Sequence, residues 1–408
     1  MEETMRDLSV VGSEKKAERW IFYFLCGYAL FSSTSIAVGN IFLSLSIAAA
    51  LFRVYKKHDD WRELLRIDRK LAVPFLLFVG MMLFTSLFST DVVWSLRVLG
   101  DHYLYRMTGF YLLWLFIRDR RQLIMLFCLA LLSHFVNDAV CIYQGVAEGH
   151  FRVGGIIGYM MTGGNLVMWL PVLIVLAMEN KFFGWRKYAF YGVLAAALMA
   201  TLLNATRGVW LAIGIIAPVL ILLFMKSKLK GVAVLALLAV FTAGIFYSVP
   251  VLQNRLVTIT DTKMQSNSER LLLWQSARNM FADYPITGVG YGEFHDNYQE
   301  KYILPEAKER YLGHAHSNFF QVLAEGGILG VAGLLAWWLS TAIYCIRGWF
   351  GSRNIGYLTF LGIFAGIMLQ GMTEYTMGDS IVMKLFWFGL GMSYQWIATG
   401  MADDGDAT

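Results

Sequence analysis

Apolar runs of about twenty residues follow one another along this chain, and that succession limits its fold more than any other feature. About 20 residues of helix cross a hydrocarbon core of about 30 Å. A soluble protein interrupts such runs with its charged shell, whereas here 57% of residues are hydrophobic and 15% charged. The fold expected is an all-α, polytopic membrane helical bundle. An outer-membrane barrel is excluded, because lipid-facing strands alternate in hydrophobicity and these runs are continuous.

The runs fall near 20–36, 38–54, 72–89, 103–118, 122–143, 160–179, 188–206, 208–225, 231–249, 316–346, 355–375 and 381–398, which predicts about twelve spans. The loops "RVYKKHDDWRELLRIDRK", "RDRRQ", "KFFGWRK", "KSKLK" and "RGWFGSRN" are basic and share one side, so the positive-inside rule puts them and both termini in the cytoplasm. The net charge of +5 belongs to these loops and gives no reason to expect a nucleic-acid partner. A basic segment before the first run raises a signal peptide, but a second span follows at once and favours an uncleaved first span. Cys26, Cys128, Cys141 and Cys345 lie inside apolar runs and show no metal or disulfide spacing.

The organisation expected is N-terminal spans over 1–249, a large periplasmic loop over 250–315 with short helices, C-terminal spans over 316–398 and a cytoplasmic tail over 399–408. On the external side, 90–102 ("TDVVWSLRVLGDH") has helical spacing suited to the interface. Residues 144–159 are glycine-rich and carry Arg152. In the large loop, "ERLLLWQSARNMF" predicts a helix bearing Arg270 and Arg278, stopped by "DYP", and "TGVGYG" predicts a turn rather than a nucleotide loop.

Ionisable residues at span ends call for partners. Arg207, in "LLNATRGVWLAIG", is either a snorkelling arginine or an anion clamp using its planar fork. His316 opens the tenth span, as an interfacial side chain or as a general base. His314, two residues earlier, is expected to point elsewhere. Glu325 lies nine residues beyond His316, two and a half turns on, and is expected to pair within the bundle. Gly326, Gly327 and Gly330 predict a small-residue packing face. His134 with Asp138, and Glu374 with Asp379, leave open an ion pathway and hence a transporter or flippase, although no two-fold repeat is visible. Asp261, Asp283, Glu293 and Asp296 are scattered through the large loop without ligand-like spacing, so no metal site is expected.

Together, "NATRGVWLA", "SERLLLWQSARNMFADYPITGVGYGEF", the pattern His316, Ser317, Gly327, Gly330 and "GMTEYTMGDSIVMKLFWFGLG" resemble the O-antigen ligase and polymerase superfamily. The resemblance covers roughly 145–398, with Ser317 where many relatives have asparagine. It implies a membrane glycosyltransferase, most like the ligases, that takes an undecaprenyl-diphosphate-linked glycan to a lipid A-core hydroxyl at the periplasmic face of the inner membrane. It implies that Arg207 and Arg270 hold the diphosphate and that His316 is the base. Arg152, Arg278, His314, Ser317 and Glu374 are expected around the substrates. No cofactor is implied, and membrane lipids are the other expected partners. An O-antigen polymerase or a protein O-oligosaccharyltransferase stays as the alternative within the class.

Overall fold

The computed structural model describes the backbone of residues 2–57 and 67–400 and the side chains of 16–55 and 67–400. Its helices are α1 (Glu2–Phe31), α2 (Ile36–Lys57), α3 (Arg69–Ser86), α4 (Val92–Gly100), α5 (Thr108–Phe116), α6 (Arg120–Ile142), α7 (Tyr159–Glu179) and α8 (Trp185–Asn204). They continue as α9 (Arg207–Phe224), α10 (Lys228–Ser248), α11 (Pro250–Val257), α12 (Gln265–Asp283), α13 (Phe294–Asn297), α14 (Asn318–Ser352), α15 (Gly356–Gln370) and α16 (Ser380–Ala398). The tail 401–408 and most of the basic 53–70 loop lie outside the described residues.

Local chemistry sets many of these boundaries. Asp68, Asp91, Asp119, Ser227, Ser317 and Asp379 each accept a backbone N–H in the first turn of the helix they precede. Asn180, Ala205 and Arg353 end α7, α8 and α14 in the left-handed conformation.

Among the described residues, eight helices are long and apolar enough to cross a membrane: α2, α3, α6, α7, α8, α9, α10 and α14. Helix α15 is apolar but has 15 residues. Helices α1, α5 and α16 stand where spans were predicted. The predicted span at 103–118 is corrected: α4 runs into a π-turn at Asp101–Tyr105, and only nine residues of α5 follow. Arg106 fixes that turn. Its guanidinium meets Asp101 at 2.6 Å and donates to the carbonyls of Met377 (3.1 Å) and Gly378 (2.9 Å) in the α15–α16 loop.

Helices α7 and α16 are buried on nearly every side, α7 against α8, α9, α15 and α16. Helix α10 is the opposite case. Leu229, Val232, Leu237, Val240 and Phe241 are all exposed, an apolar surface that only lipid would cover. The predicted large loop contains α11 to α13, and α12 and α13 pack around a small core of Leu273, Ala277, Met280, Phe294 and Tyr298, which extends to Ala315 and to Ala324 of α14.

The loop is seated on α14 by an exchange of backbone hydrogen bonds. Gly327 has φ of +56° and breaks the helical ladder. The freed carbonyls of Ala324 and Glu325 accept from Val289 (2.9 Å) and Gly290 (3.1 Å). The freed N–H groups of Ile328 and Leu329 donate to Pro285 (2.9 Å) and Ile286 (3.5 Å). The "TGVGYG" stretch is thus a turn, as predicted, and its function is to cover a kink. The predicted packing face holds for Gly326 and Gly330, whose added Cβ would meet Met82 Sδ at 2.8 and 2.9 Å, but Gly327 has this different use.

These two uses of glycine have different sensitivities. A Cβ at Gly327 would meet the Ile286 carbonyl oxygen at 2.5 Å, a backbone atom with nowhere to go, in a conformation that itself costs about 1–3 kcal/mol for an L-residue. At Gly330 the obstacle is the end of a flexible methionine. Gly327→Ala should therefore melt well below Gly330→Ala when both are purified in the same detergent. Equal melting temperatures would contradict the assignment.

Candidate active site

Three helices begin at one end of the bundle and bring the site together. Helix α9 starts with Arg207 itself. Helix α12 starts at Gln265, and its Ser266 Oγ accepts from Arg207 Nη2 at 3.0 Å. Helix α14 starts at Asn318, directly after the cap Ser317. Helix N-termini carry unpaired N–H groups and partial positive charge, so their convergence favours an anion. Asn318 ties α14 to the loop after α15: its N–H donates to Gly371 at 2.6 Å, its Nδ2 to Thr376 at 2.9 Å, and its Oδ1 accepts from Met377 N–H at 3.1 Å.

That loop carries Glu374, which holds the centre of the site. One oxygen accepts from Arg270 Nη2 at 3.1 Å, and the other meets His316 Nδ1 at 2.7 Å. With Nδ1 committed to the carboxylate, Nε2 is the imidazole nitrogen left to take a proton. The chain around His316 is clamped. Ala315 N–H donates to Gln321 at 2.8 Å, Trp274 Nε1 donates to the Ala315 carbonyl at 3.1 Å, and His316 has a φ of +48°, a conformation uncommon for residues with a Cβ.

Arginines surround this pair. The charges of Arg255, Arg270 and Arg152 all bear on Arg207. Arg255, on α11, lies below the usual arginine range because burial and then the charges of Arg152 and Arg270 oppose its protonated form. Arg207 also donates to the Thr258 carbonyl, Arg255 Nε donates to the Ala205 carbonyl at 3.2 Å, and Arg152 lies 4.2 Å from the Tyr159 ring centre. Arg270 Nε is buried with no hydrogen-bond partner. Burial pushes the Glu374 carboxyl up, but the His316 hydrogen bond and the charges of His316, Arg270 and His314 outweigh it, and the group sits below its ordinary value.

The structure therefore brings together Arg152, Arg207, Arg270, His314, His316 and Glu374. His314 was expected to point elsewhere. Helix α14 starts later than His316, however, and the two rings lie 4.3 Å apart, edge to face. Arg278 is not brought in. It lies 5.6 Å from the centre of the Phe320 ring, which stacks on Trp274. Ser317 is the cap of α14, its Oγ accepting from Phe320 N–H at 3.4 Å.

Glu325 acquires a role. It accepts from Phe294 N–H at 3.2 Å and from Gln321 Nε2 at 2.8 Å, so its partners within the bundle are neutral and hold the Gln321–Ala315 clamp. Arg255 was missed, because in the sequence it is one charge in a short polar segment after a span. The other acids are engaged elsewhere. Asp379 caps α16, Asp283 bonds Lys301 and Tyr302, Glu293 accepts from Thr90, and His134 and Asp138 pair at 3.1 Å inside α6.

His314, His316 and Glu374 offer three ligand atoms within 4.8 Å of one another, a group that no linear spacing could reveal because Glu374 comes from a distant loop. Both oxygens of Glu374 are already engaged, and the arginine charges oppose a further cation.

The bundle thus holds a clamped histidine–carboxylate pair among arginines. Residues 192–335 match the family described as O-antigen ligase, which supports the O-antigen ligase superfamily and an activity of the ligase or polymerase type. The match includes Arg207, Arg255, Arg270, His314 and His316; Arg152 and Glu374 lie beyond it. No curated protein matches the chain.

Burial, then the charge of His316, lowers His314 to about 4 from an ordinary 6.5. Between those values the unfolded chain holds the extra proton, so this site's contribution to stability is complete above pH 6.5 and lost as pH falls toward 4. His314→Gln should flatten the pH dependence of thermal melting across that window, and an unchanged slope would assign the loss to other groups.

Proposed function

We infer that this protein is an O-antigen ligase, moving a glycan from undecaprenyl diphosphate to a sugar hydroxyl of the lipid A core at the periplasmic face of the inner membrane. One observation carries the reading: Arg270 and His316 share the carboxylate of Glu374 within a group of four arginines, and Arg270 retains a buried donor with no partner. A buried charged donor without an acceptor is unfavourable, and a diphosphate oxygen would satisfy it.

In the proposed reaction the acceptor oxygen attacks the anomeric carbon as its bond to the diphosphate oxygen breaks. Undecaprenyl diphosphate leaves with that electron pair, and the hydroxyl proton passes to His316 Nε2. Glu374 holds the imidazole and stabilises the imidazolium. Arg207, Arg255 and Arg270 face the charge that grows on the leaving group, where fixed donors act most strongly. One displacement inverts the anomeric centre, and no metal is needed to neutralise the diphosphate. The basic loops support the orientation, because their side lies opposite the arginine cluster.

Deletion tests the class. Loss of all long chains from the lipid A core, with polymerised lipid-linked glycan accumulating, is expected on electrophoresis of lipopolysaccharide. A single attached repeat would indicate a polymerase, and unchanged glycan would remove the protein from the pathway. With purified protein, transfer should proceed in excess chelator. His316→Ala and Glu374→Gln should each lower it by about 10²-fold or more while leaving donor binding intact. Arg207→Lys and Arg270→Lys should lose most activity, since an ammonium cannot reproduce a planar fork. Chelator inhibition reversed by magnesium would overturn the metal-free step, and normal transfer by His316→Ala would move the base elsewhere.

A further inference from the structure

A cavity of about 700 Å³ lies at the end of the bundle opposite the arginine cluster and takes no part in the chemistry above. It runs between α6, α7, α8 and α16. Its walls are apolar, with Leu123, Phe127, Leu131, Trp169, Val193 and Met392 among them. Its mouth is basic. Arg120, Lys181, Arg186 and Arg353 line it beside a single carboxylate, Glu179, which pairs with Lys181 at 2.9 Å.

The depth of the cavity also carries information. Its lining follows α7 from Glu179 to Trp169 and α6 from Arg120 to Phe135. At 1.5 Å per residue these are about 15 and 22 Å, against a hydrocarbon core of about 30 Å. The cavity therefore reaches from one membrane surface to about mid-bilayer or slightly past it, the depth that acyl chains of one leaflet occupy. Its volume falls within the roughly 300–1,000 Å³ of ordinary ligand sites.

We propose that this cavity is a binding site for one anionic diacyl phospholipid of the phosphatidylglycerol type, from the leaflet that faces the basic loops. The chains lie against the apolar walls, and the phosphate meets Arg186 and Arg353, which are both exposed at the mouth. Charge complementarity selects the occupant. A zwitterionic lipid brings no net charge to the excess of cations, whereas each basic residue near an anionic lipid is worth about fivefold in binding. The site is separate from the proposed glycan transfer and stands or falls without it.

Native mass spectrometry of the full-length protein tests this, using mixed micelles with equal amounts of phosphatidylglycerol and phosphatidylcholine. One phosphatidylglycerol should be retained in preference to phosphatidylcholine. Arg186→Glu and Arg353→Glu, both at exposed positions, should each reduce the preference about fivefold. Ala189→Trp, also at an exposed lining position, should fill the mouth and reduce retention of either lipid. Cys128 lines the cavity and is exposed, so its labelling by a bulky maleimide should slow in a saturable way as phosphatidylglycerol is added. The proposal is overturned by equal retention of the two lipids, by a preference that survives both charge reversals, or by Cys128 labelling that ignores the lipid. It is also overturned if undecaprenyl phosphate displaces phosphatidylglycerol at lower concentration, since the site would then belong to a polyprenyl lipid.

Discussion

A helix that crosses a bilayer has to satisfy its backbone hydrogen bonds within the protein, because hydrocarbon offers none. Gly327 interrupts the helical ladder inside α14, freeing two carbonyls and two N–H groups. All four find partners in residues 285–290 of the large loop. This exchange is what turns a long external loop into a fixed part of the bundle. It seats α12 beside the start of α14, which sets Arg270 over His316. Without the kink the loop would have only its small apolar core to hold it, and the two halves of the site would be joined by side chains alone.

Glu374 makes the second connection, and it is electrostatic. One carboxylate binds an imidazole through one oxygen and a guanidinium through the other, joining residues that are 46 and 104 positions apart from one another or from it in sequence: Arg270 to His316, and Arg270 to Glu374. The loop that supplies it is fixed from both sides, by Asn318 at the head of α14 and by Arg106 beneath the π-turn after α4. Helix α9 closes the third side, since a Cβ on Gly208 would meet Thr373 Oγ1 at 2.7 Å. The site is therefore built on helix ends, where backbone geometry is firm, and not on a free loop.

Much of this was legible beforehand because two signals are strong in a membrane chain. Continuous apolar runs located the helices, and loop charge gave them a common orientation. Where a run was interrupted by polar chemistry, the reading failed: Arg106 lies within the predicted span at 103–118, and the α-helix there is interrupted by the π-turn at Asp101–Tyr105. Arg207 and His316 stood out because ionisable groups at span ends are costly, and Arg270 stood out through the family resemblance. Arg255 did not, since nothing local distinguishes an arginine in a polar loop. Pairings were hidden for the same reason. That His316 and Glu374 meet depends on how α14 and the α15–α16 loop pack, and the position of His314 depended on a helix starting two residues later than its apolar run suggests.

The arrangement of charge also bears on why arginines, and not a bound cation, would face a diphosphate here. A divalent ion needs carboxylates with free oxygens and room for several ligands. The carboxylate available is Glu374, and a cation taking one of its oxygens would release either Arg270 or His316. Releasing Arg270 would add another unpaired charge to a group that already opposes cations. Releasing His316 would remove what orients the proposed base. Arginines have no such conflict. Their charge is permanent, their forks can each meet two oxygens, and the converging N-termini of α9, α12 and α14 add to the same field. Such a field of fixed cations fits the proposed anion, with its several oxygens, better than it fits a bound metal ion.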